Sequence, residues 1–338
     1  PLGAQIGLDV MKDGGNAVDA AIAMAAAMPL LEPTGNALGS DCFALVWIEK
    51  EKKLYGLNAS GVAPMALSAQ KVKELGYDQV PFEGWLPTMV PGAPAGWAAL
   101  NGRFGTKPLS ELFAPAIGYA QNGYPVPVNV ARQWKKDSQR IAQAMQNNAA
   151  PHEYWWNCFM KPDGSPYQAG EIFRFPDYAK TLQTLADTNC ESYYRGEVMQ
   201  KIVAFSRKTG GYFCEQDFQN YHPEWVQPIT QDYRGYTVCE IPPNGHGITV
   251  LMALGILNGM AMPQNRECAE HYHKVMEAIK LAFADTKTYV ADPRYMQTKV
   301  CELLDPAYLA KRRALITNHA LQPQAGDPHC GGTIYLCT

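Results

Sequence analysis

Apolar positions recur at helical spacing where the chain opens. In "AQIGLDVMK", residues 4–12, Ile6, Val10 and Met11 share one side. Asp13-Gly14-Gly15 ends that helix, because glycine takes the left-handed conformation that follows a helix C-terminus. Asn16 caps a second helix, expected over 17–28, with Asp19 in its first turn at the favourable end of the dipole. This helix is almost all alanine, which favours helix and lets neighbours approach closely. The pattern then changes. Residues 33–40, "PTGNALGS", form a glycine-rich turn, "DCFALVWIE" follows as a strand, and "KLYGLNAS" is its hairpin partner across a charged turn at 49–53. "GVAP" ends that second strand.

Helical patterns continue at 68–75, within 91–106, over 108–121 with Pro115 as a kink or boundary, and over 128–145. Residues 146–175 are rich in Asn, Pro, Gly and aromatics and read as a surface excursion anchored by Trp155 and Trp156. Further helices are expected at 177–187, 196–206, within 210–221, and at 246–258, 270–285 and 305–316. Two strands flank a Tyr-Arg-Gly turn at 233–235. There is no internal repeat, and strands do not alternate with helices as in a doubly wound parallel fold.

Composition narrows the function. The chain has 338 residues, 47% of them hydrophobic and 18% charged, with a net charge of -3. That suits one large domain or two smaller ones. No basic block is long enough to track a phosphate backbone; Lys311-Arg312-Arg313 is the densest, so nucleic acid is not an expected partner. The most apolar run, "AVDAAIAMAAAMPLL", is interrupted by Asp19 and Pro29, so no membrane span is expected. Nine widely spaced cysteines without a CxxC pair fit a reducing compartment, and a cytoplasmic location is expected. The chain starts at Pro1 without a methionine, which leaves export open. His271 and His273 have no cysteines nearby, and adjacent His329 and Cys330 are poorly placed to share an ion, so no metal is expected. "DGGNAVDAA" follows a helix and lacks the G-x-G-x-x-G spacing, which excludes a dinucleotide loop; no cofactor is expected.

Near the end stands "GGT", residues 331–333. It reads either as a turn before a strand or as chemistry. A threonine hydroxyl becomes a useful nucleophile when an amine takes its proton, and an N-terminal threonine carries both groups. That second reading requires cutting the Gly332–Thr333 bond.

The order of several motifs decides the weighting. "GLDVMKDGGNAVDAAIAMAAAM", "GNALGSDCFALVW", "VPGAPAGWAAL", "YRGYTVCEIPPNGHGITVLMALGIL" and "AIKLAFADTKTYVADP" together resemble the γ-glutamyltranspeptidase family, members of the N-terminal nucleophile hydrolases. The resemblance implies an α+β fold, a four-layer αββα sandwich completed by two subunits of one precursor. Residues 1–332 would be the large-subunit region of a single domain, and 333–338 the first residues of the small subunit. It implies autocleavage between Gly332 and Thr333, with Thr333 as catalytic nucleophile. The oxyanion donors of the family come from a Gly-Gly in the small subunit, so residues 1–338 alone would be inactive. The partners implied are a small-molecule amide or γ-glutamyl-like substrate and the protein's own small subunit.

One stretch departs from the family pattern. Family members hold the glutamyl α-carboxylate with the arginine of an Arg-Glu-x-Ala-Pro stretch; here the stretch is "SGVAP", with Ser60 and Gly61 in place of Arg and Glu. Serine cannot clamp a carboxylate bidentately. The expectation is therefore an amidohydrolase or acyltransferase acting on other amides. A true γ-glutamyltransferase on glutathione-like donors and an unprocessed, non-catalytic homologue are the alternatives. Arg234 is the nearest replacement arginine by motif, although its turn suggests a structural role. Ser60, Asn58 and Asp41 are candidate substrate-binding residues; Asp41 either faces the pocket or caps a turn. Residues 244–247, "NGHG", open a helix whose N–H groups would meet an anion, unless Asn244 is simply the N-cap.

Overall fold

The computed structural model of the chain describes residues 1–148 and 150–328. In chain order its elements are α1 (Leu2–Lys12), α2 (Ala17–Leu31), β1 (Cys42–Ile48), β2 (Lys53–Ala59), α3 (Ala69–Glu74), α4 (Ala93–Phe104), α5 (Leu109–Asn122), β3 (Tyr124–Pro125), α6 (Val128–Asn147), α7 (Glu153–Phe159) and β4 (Ile172–Phe173). Then come α8 (Pro176–Asp187), α9 (Ser192–Arg195), α10 (Glu197–Lys208), α11 (Glu215–Gln219), β5 (Glu224–Val226), β6 (Ile229–Tyr233), β7 (Tyr236–Glu240), α12 (Gly247–Asn258), α13 (Ala269–Tyr289), α14 (Val300–Leu303) and α15 (Pro306–Arg313). The chain divides into two units: Pro1–Cys42 with Ala59–Glu224, and Phe43–Asn58 with the residues from Trp225 onward.

In the first unit α2 packs against α1, α4 and α5. Ala23, Ala26, Ala27 and Leu30 on α2 have no exposed surface. The helix runs three residues past the expected 28, through Pro29 to Leu31. Packing on several sides holds that last turn although proline removes one backbone donor. Two buried tyrosines bind its carbonyls: Tyr178 donates to Ala26 at 2.7 Å and Tyr124 to Leu30 at 2.5 Å. Pro115 likewise lies inside α5 and ends nothing.

The middle segment is better built than its composition suggests. It contains α7, and β4 pairs antiparallel with β3. Its anchor is not Trp155 and Trp156, which are half-buried. Trp134 of α6, fully buried, meets Phe173 at 4.9 Å and Phe159 at 5.7 Å between ring centroids, both edge-on. Edge-to-face packing of this kind adds about 0.5–1.5 kcal/mol per pair beyond simple burial.

In the second unit β1, β2 and β5 form a sheet in the order β1-β2-β5. Only a short 3-10 turn, Glu49–Glu51, joins β1 to β2, which requires an antiparallel pair. Along β1, Phe43, Leu45 and Trp47 are exposed while the alternate residues are half-buried, so both faces of the strand are apolar. β6 and β7 form a second antiparallel pair, Tyr233 opposite Tyr236. Arg234 and Gly235 turn the chain with φ of 52° and 87°, the primed geometry of a two-residue hairpin. The core of this unit lies between α12, α13 and α15, where Met252, Ile256, Leu281 and Leu309 are sealed from solvent. Each such side chain contributes about 1.5–3 kcal/mol by burial.

Candidate functional site

In the first unit, the turn that follows β2 is held on both flanks. The Gly61 N–H donates to Asp41 Oδ1 at 2.9 Å, and the Val90 N–H donates to the Val62 carbonyl at 2.9 Å. The Ser60 carbonyl accepts from the Tyr221 hydroxyl at 3.0 Å. The first N–H groups of α4 are aimed at the same place: Gly92 and Ala93 both donate to the Ser40 carbonyl, at 3.1 and 2.8 Å. Tyr194 closes the arrangement. Its hydroxyl donates to the Pro91 carbonyl at 2.8 Å and accepts from the Ala95 N–H at 3.1 Å, while its ring stacks on Tyr221.

Two consequences follow for the predicted residues. Asp41 is exposed, and through Oδ1 it performs the turn-capping role. Gly61 has no room for a side chain: a Cβ there would overlap the Val90 carbonyl oxygen and come within 3.0 Å of the Met89 Cβ. The backbone of 89–90 occupies the volume that a glutamate at 61 would need. Cys42, beside this turn, is not an activated thiol, since burial and then the Asp41 charge push it up to about 11.

Asn58 belongs to the second unit. Its Nδ2 donates to Asn244 Oδ1 at 3.0 Å. Asn244 is therefore engaged side chain to side chain and does not cap α12; the N-cap is His246, with no side-chain capping bond. Arg234 stands by the other end of α12. Its backbone N–H donates to Asn258 Oδ1 at 3.1 Å and its Nη2 to the Met260 carbonyl at 3.2 Å. A twelve-residue helix is about 18 Å long, so Arg234 is not a neighbour of Asn58. It serves its own turn.

Thr333 and Gly332 lie outside the described residues. The chain that leads toward them is described as far as 328, and it follows α13. His273 bonds the Thr317 carbonyl at 2.7 Å, and Glu277 Oε2 accepts from the Leu321 N–H at 3.0 Å. Arg312 Nη2 donates to the Gln324 carbonyl at 2.7 Å. Asp285 Oδ1 accepts from the Gly326 N–H at 2.8 Å, and the Tyr289 hydroxyl donates to the Gly326 carbonyl at 2.5 Å. Arg312 Nε and Asp285 Oδ2 pair at 3.0 Å, with 6% and 0% of their side chains exposed. This seam was not anticipated from sequence. The signal was there: Ala278, Leu281, Ala282 and Asp285 share one helical stripe, so Asp285 falls in line with the core.

A cavity of about 600 Å³ lies elsewhere, between α1 and α5, lined by Gln5, Asp9, Lys107, Glu111 and Tyr119. Asp41, Asn58 and Ser60 are not among its lining residues. Its lysine is already paired with Asp13 and Glu111, at 3.0 and 3.1 Å. Among the described residues, no helix is long and apolar enough to cross a membrane.

Comparison with known proteins gives a consistent result. A solved structure of cephalosporin acylase from Bacillus halodurans is 46% identical, with a TM-score of 0.92, over 97% of this chain and 60% of that one. The γ-glutamyltranspeptidase of Helicobacter pylori is 27% identical with a TM-score of 0.89, over 99% of this chain and 96% of that one. The glutathione hydrolase-like YwrD proenzyme of Bacillus subtilis (strain 168) is 31% identical over 336 residues, which is 99% of this chain and 62% of the relative. The chain thus spans less than two thirds of the curated relative and of the acylase. The fold is that of the N-terminal nucleophile hydrolases of this kind. The sequence pattern described as Gamma-glutamyltranspeptidase matches residues 3–338, and the chain belongs to the γ-glutamyltranspeptidase family.

Proposed function

We propose that the full-length protein is a self-processing amide hydrolase or acyltransferase with Thr333 as nucleophile, acting on acyl groups that lack a free α-carboxylate at the γ-glutamyl position. Family membership and the "GGT" at 331–333 support the nucleophile. In processing, Thr333 Oγ attacks the Gly332 carbonyl carbon. A C–O ester bond forms, the C–N peptide bond breaks, and the nitrogen takes the hydroxyl proton. Water then hydrolyses the ester, leaving a Gly332 carboxylate and a free Thr333 amine. In turnover that amine accepts the hydroxyl proton while Oγ attacks the substrate amide and expels its amine. Water or a second amine releases the acyl group. Residues 1–332 form the large subunit in this scheme, and the fragment starting at Thr333 is its partner. The scheme uses no metal or organic cofactor.

The observation that carries the substrate class is the turn after β2. It offers a hydroxyl at Ser60 and no side chain at Gly61, and the close approach of Val90 leaves no space to restore one. Ser60 supplies no guanidinium, so the bidentate carboxylate clamp is missing from this turn. The similarity to a cephalosporin acylase points the same way. Asp41 contributes by holding Gly61 in place, and Asn58 by orienting Asn244.

The test uses full-length protein. Simple N-acyl p-nitroanilides are expected to be hydrolysed with a kcat/KM at least about tenfold above γ-glutamyl-p-nitroanilide, the loss of one charge-assisted clamp. Equal or better turnover of the γ-glutamyl donor overturns the substrate class in favour of a true γ-glutamyltransferase. Thr333→Ala is expected to abolish both fragment formation and turnover; a fully active variant overturns the nucleophile. Activity of the processed enzyme should fall as pH drops below about 7.5, where the terminal amine becomes protonated.

A further inference from the structure

We propose that the buried Asp285–Arg312 pair, with Tyr289, is a positioning device for self-cleavage: it fixes the chain at Gly326 so that the Gly332–Thr333 bond is delivered on a short tether. This rests on the self-processing reading above. Three independent contacts converge on two residues of the approaching segment. Asp285 takes the Gly326 N–H, Tyr289 takes its carbonyl, and Arg312 takes the carbonyl of Gln324. Both backbone groups of Gly326 are therefore bound by side chains. The fit is also steric, since a Cβ on Gly326 would stand 2.6 Å from the Tyr308 hydroxyl and 2.9 Å from Arg312 Cδ. The segment is laid into this clamp from upstream: His273, Glu277, Asp285 and Tyr289 meet residues 317, 321 and 326 in the same order along α13.

A buried ion pair is weak evidence for stability, because burial of two charges offsets most of their attraction. Its retention here makes sense as a specificity device. Apolar side chains of the same volume would fill the space between α13 and α15, but they would not grip a passing backbone. The grip matters because of length. From Gly326 only six residues, 327–332, remain to the scissile bond, a reach of at most about 20–22 Å. If the clamp opens, the next fixed point is Leu321, held by Glu277, and the tether grows to eleven residues, 322–332. The probability that the junction meets the rest of the fold falls roughly as the −3/2 power of tether length, about 2.5-fold here.

The experiment follows conversion of the full-length precursor into its two fragments by gel and mass spectrometry. Asp285→Asn removes the counter-charge of Arg312 and is able to unfold the chain by itself, so the deciding variants are Tyr289→Phe and Gly326→Ala. Each is expected to slow precursor conversion by up to about 2.5-fold. The thermal midpoint and the kcat/KM of the processed fraction should remain at wild-type values, which a merely structural role would not leave separate. Wild-type conversion rates in both folded variants overturn the clamp and leave the self-processing reading intact. Slowing that only tracks the unfolded fraction also overturns it. A wild-type precursor that never cleaves overturns both.

Discussion

Asp19 lies in the first turn of α2 and Asp285 near the C-terminal end of α13, and neither exposes any surface. Among the described residues Asp19 has no cation partner. It accepts from the Asn16 N–H at 2.9 Å, the Thr106 N–H at 3.0 Å, the Thr106 hydroxyl at 2.5 Å and the Lys107 N–H at 3.4 Å. Burial pushes its carboxyl up, but these donors outweigh it and hold the group below the ordinary carboxylate value. Asp285 has an arginine, yet burial pushes it above the ordinary value, and the Gly326 N–H and Arg312 do not pull it back. A carboxylate at a helix N-terminus is favoured by the dipole, and one near the C-terminus is not. The difference teaches that several fixed backbone donors in the right place can stabilise a buried charge better than one formal counter-charge. Asp19 is held in a favoured charged state, and burial holds Asp285 in a costlier one.

The sharpest way to break this comparison is Arg312→Met. It leaves Asp285 buried without its partner and should destabilise the second unit by about 3–5 kcal/mol in urea unfolding. A loss under about 1 kcal/mol would show that the pair is not energetically joined. Next comes Asp19→Asn, which keeps one acceptor and loses the charge, for about 1–3 kcal/mol. pH then separates the two sites by sign. The folded value of Asp19 is depressed, so its stabilisation is fully present above the unfolded value of about 3.9 and is lost as pH falls through the folded value. The gap between wild type and Asp19→Asn should therefore be constant above about pH 5 and shrink below about 4. The folded value of Asp285 is raised, so the folded chain binds its proton more tightly, and wild type should gain on Asp285→Asn as pH falls. Slopes of the same sign would erase the distinction. The smallest effect belongs to Asp41→Asn: a similar carboxylate-to-backbone bond at an exposed position should change stability by about 0.5 kcal/mol or less.

These two aspartates also mark what sequence reveals. The start of α2 was legible, because Asn16 and Asp19 form a local capping box three residues apart. That Asp19 would be sealed by Thr106, 87 positions away, was not, since nothing local records it. Most helices of both units announced themselves by spacing, and α7, α9 and α14 did not, being too short for periodicity to register. At α12 the local cue misled: Asn244 has good capping chemistry, but Asn58 from β2 engages it first, and the helix begins after His246. At the candidate site, the exchange to Ser60 and Gly61 was visible in "SGVAP". Its rigidity was not, because it depends on Val90 approaching from a separate segment.

β1 carries a consequence of a different kind. Trp47 is 53% exposed at the end of a row with Phe43 and Leu45, and its indole N–H is held by Glu49 at 2.7 Å. A fixed, half-wet indole on an apolar row is an optical gauge. Its emission should sit toward the red and be quenched readily by acrylamide, while Trp134, deep in the first unit, stays dark to the quencher. Anything that comes to cover this strand would shift the colour and screen the quencher, so occupancy of that face can be read by light without a label.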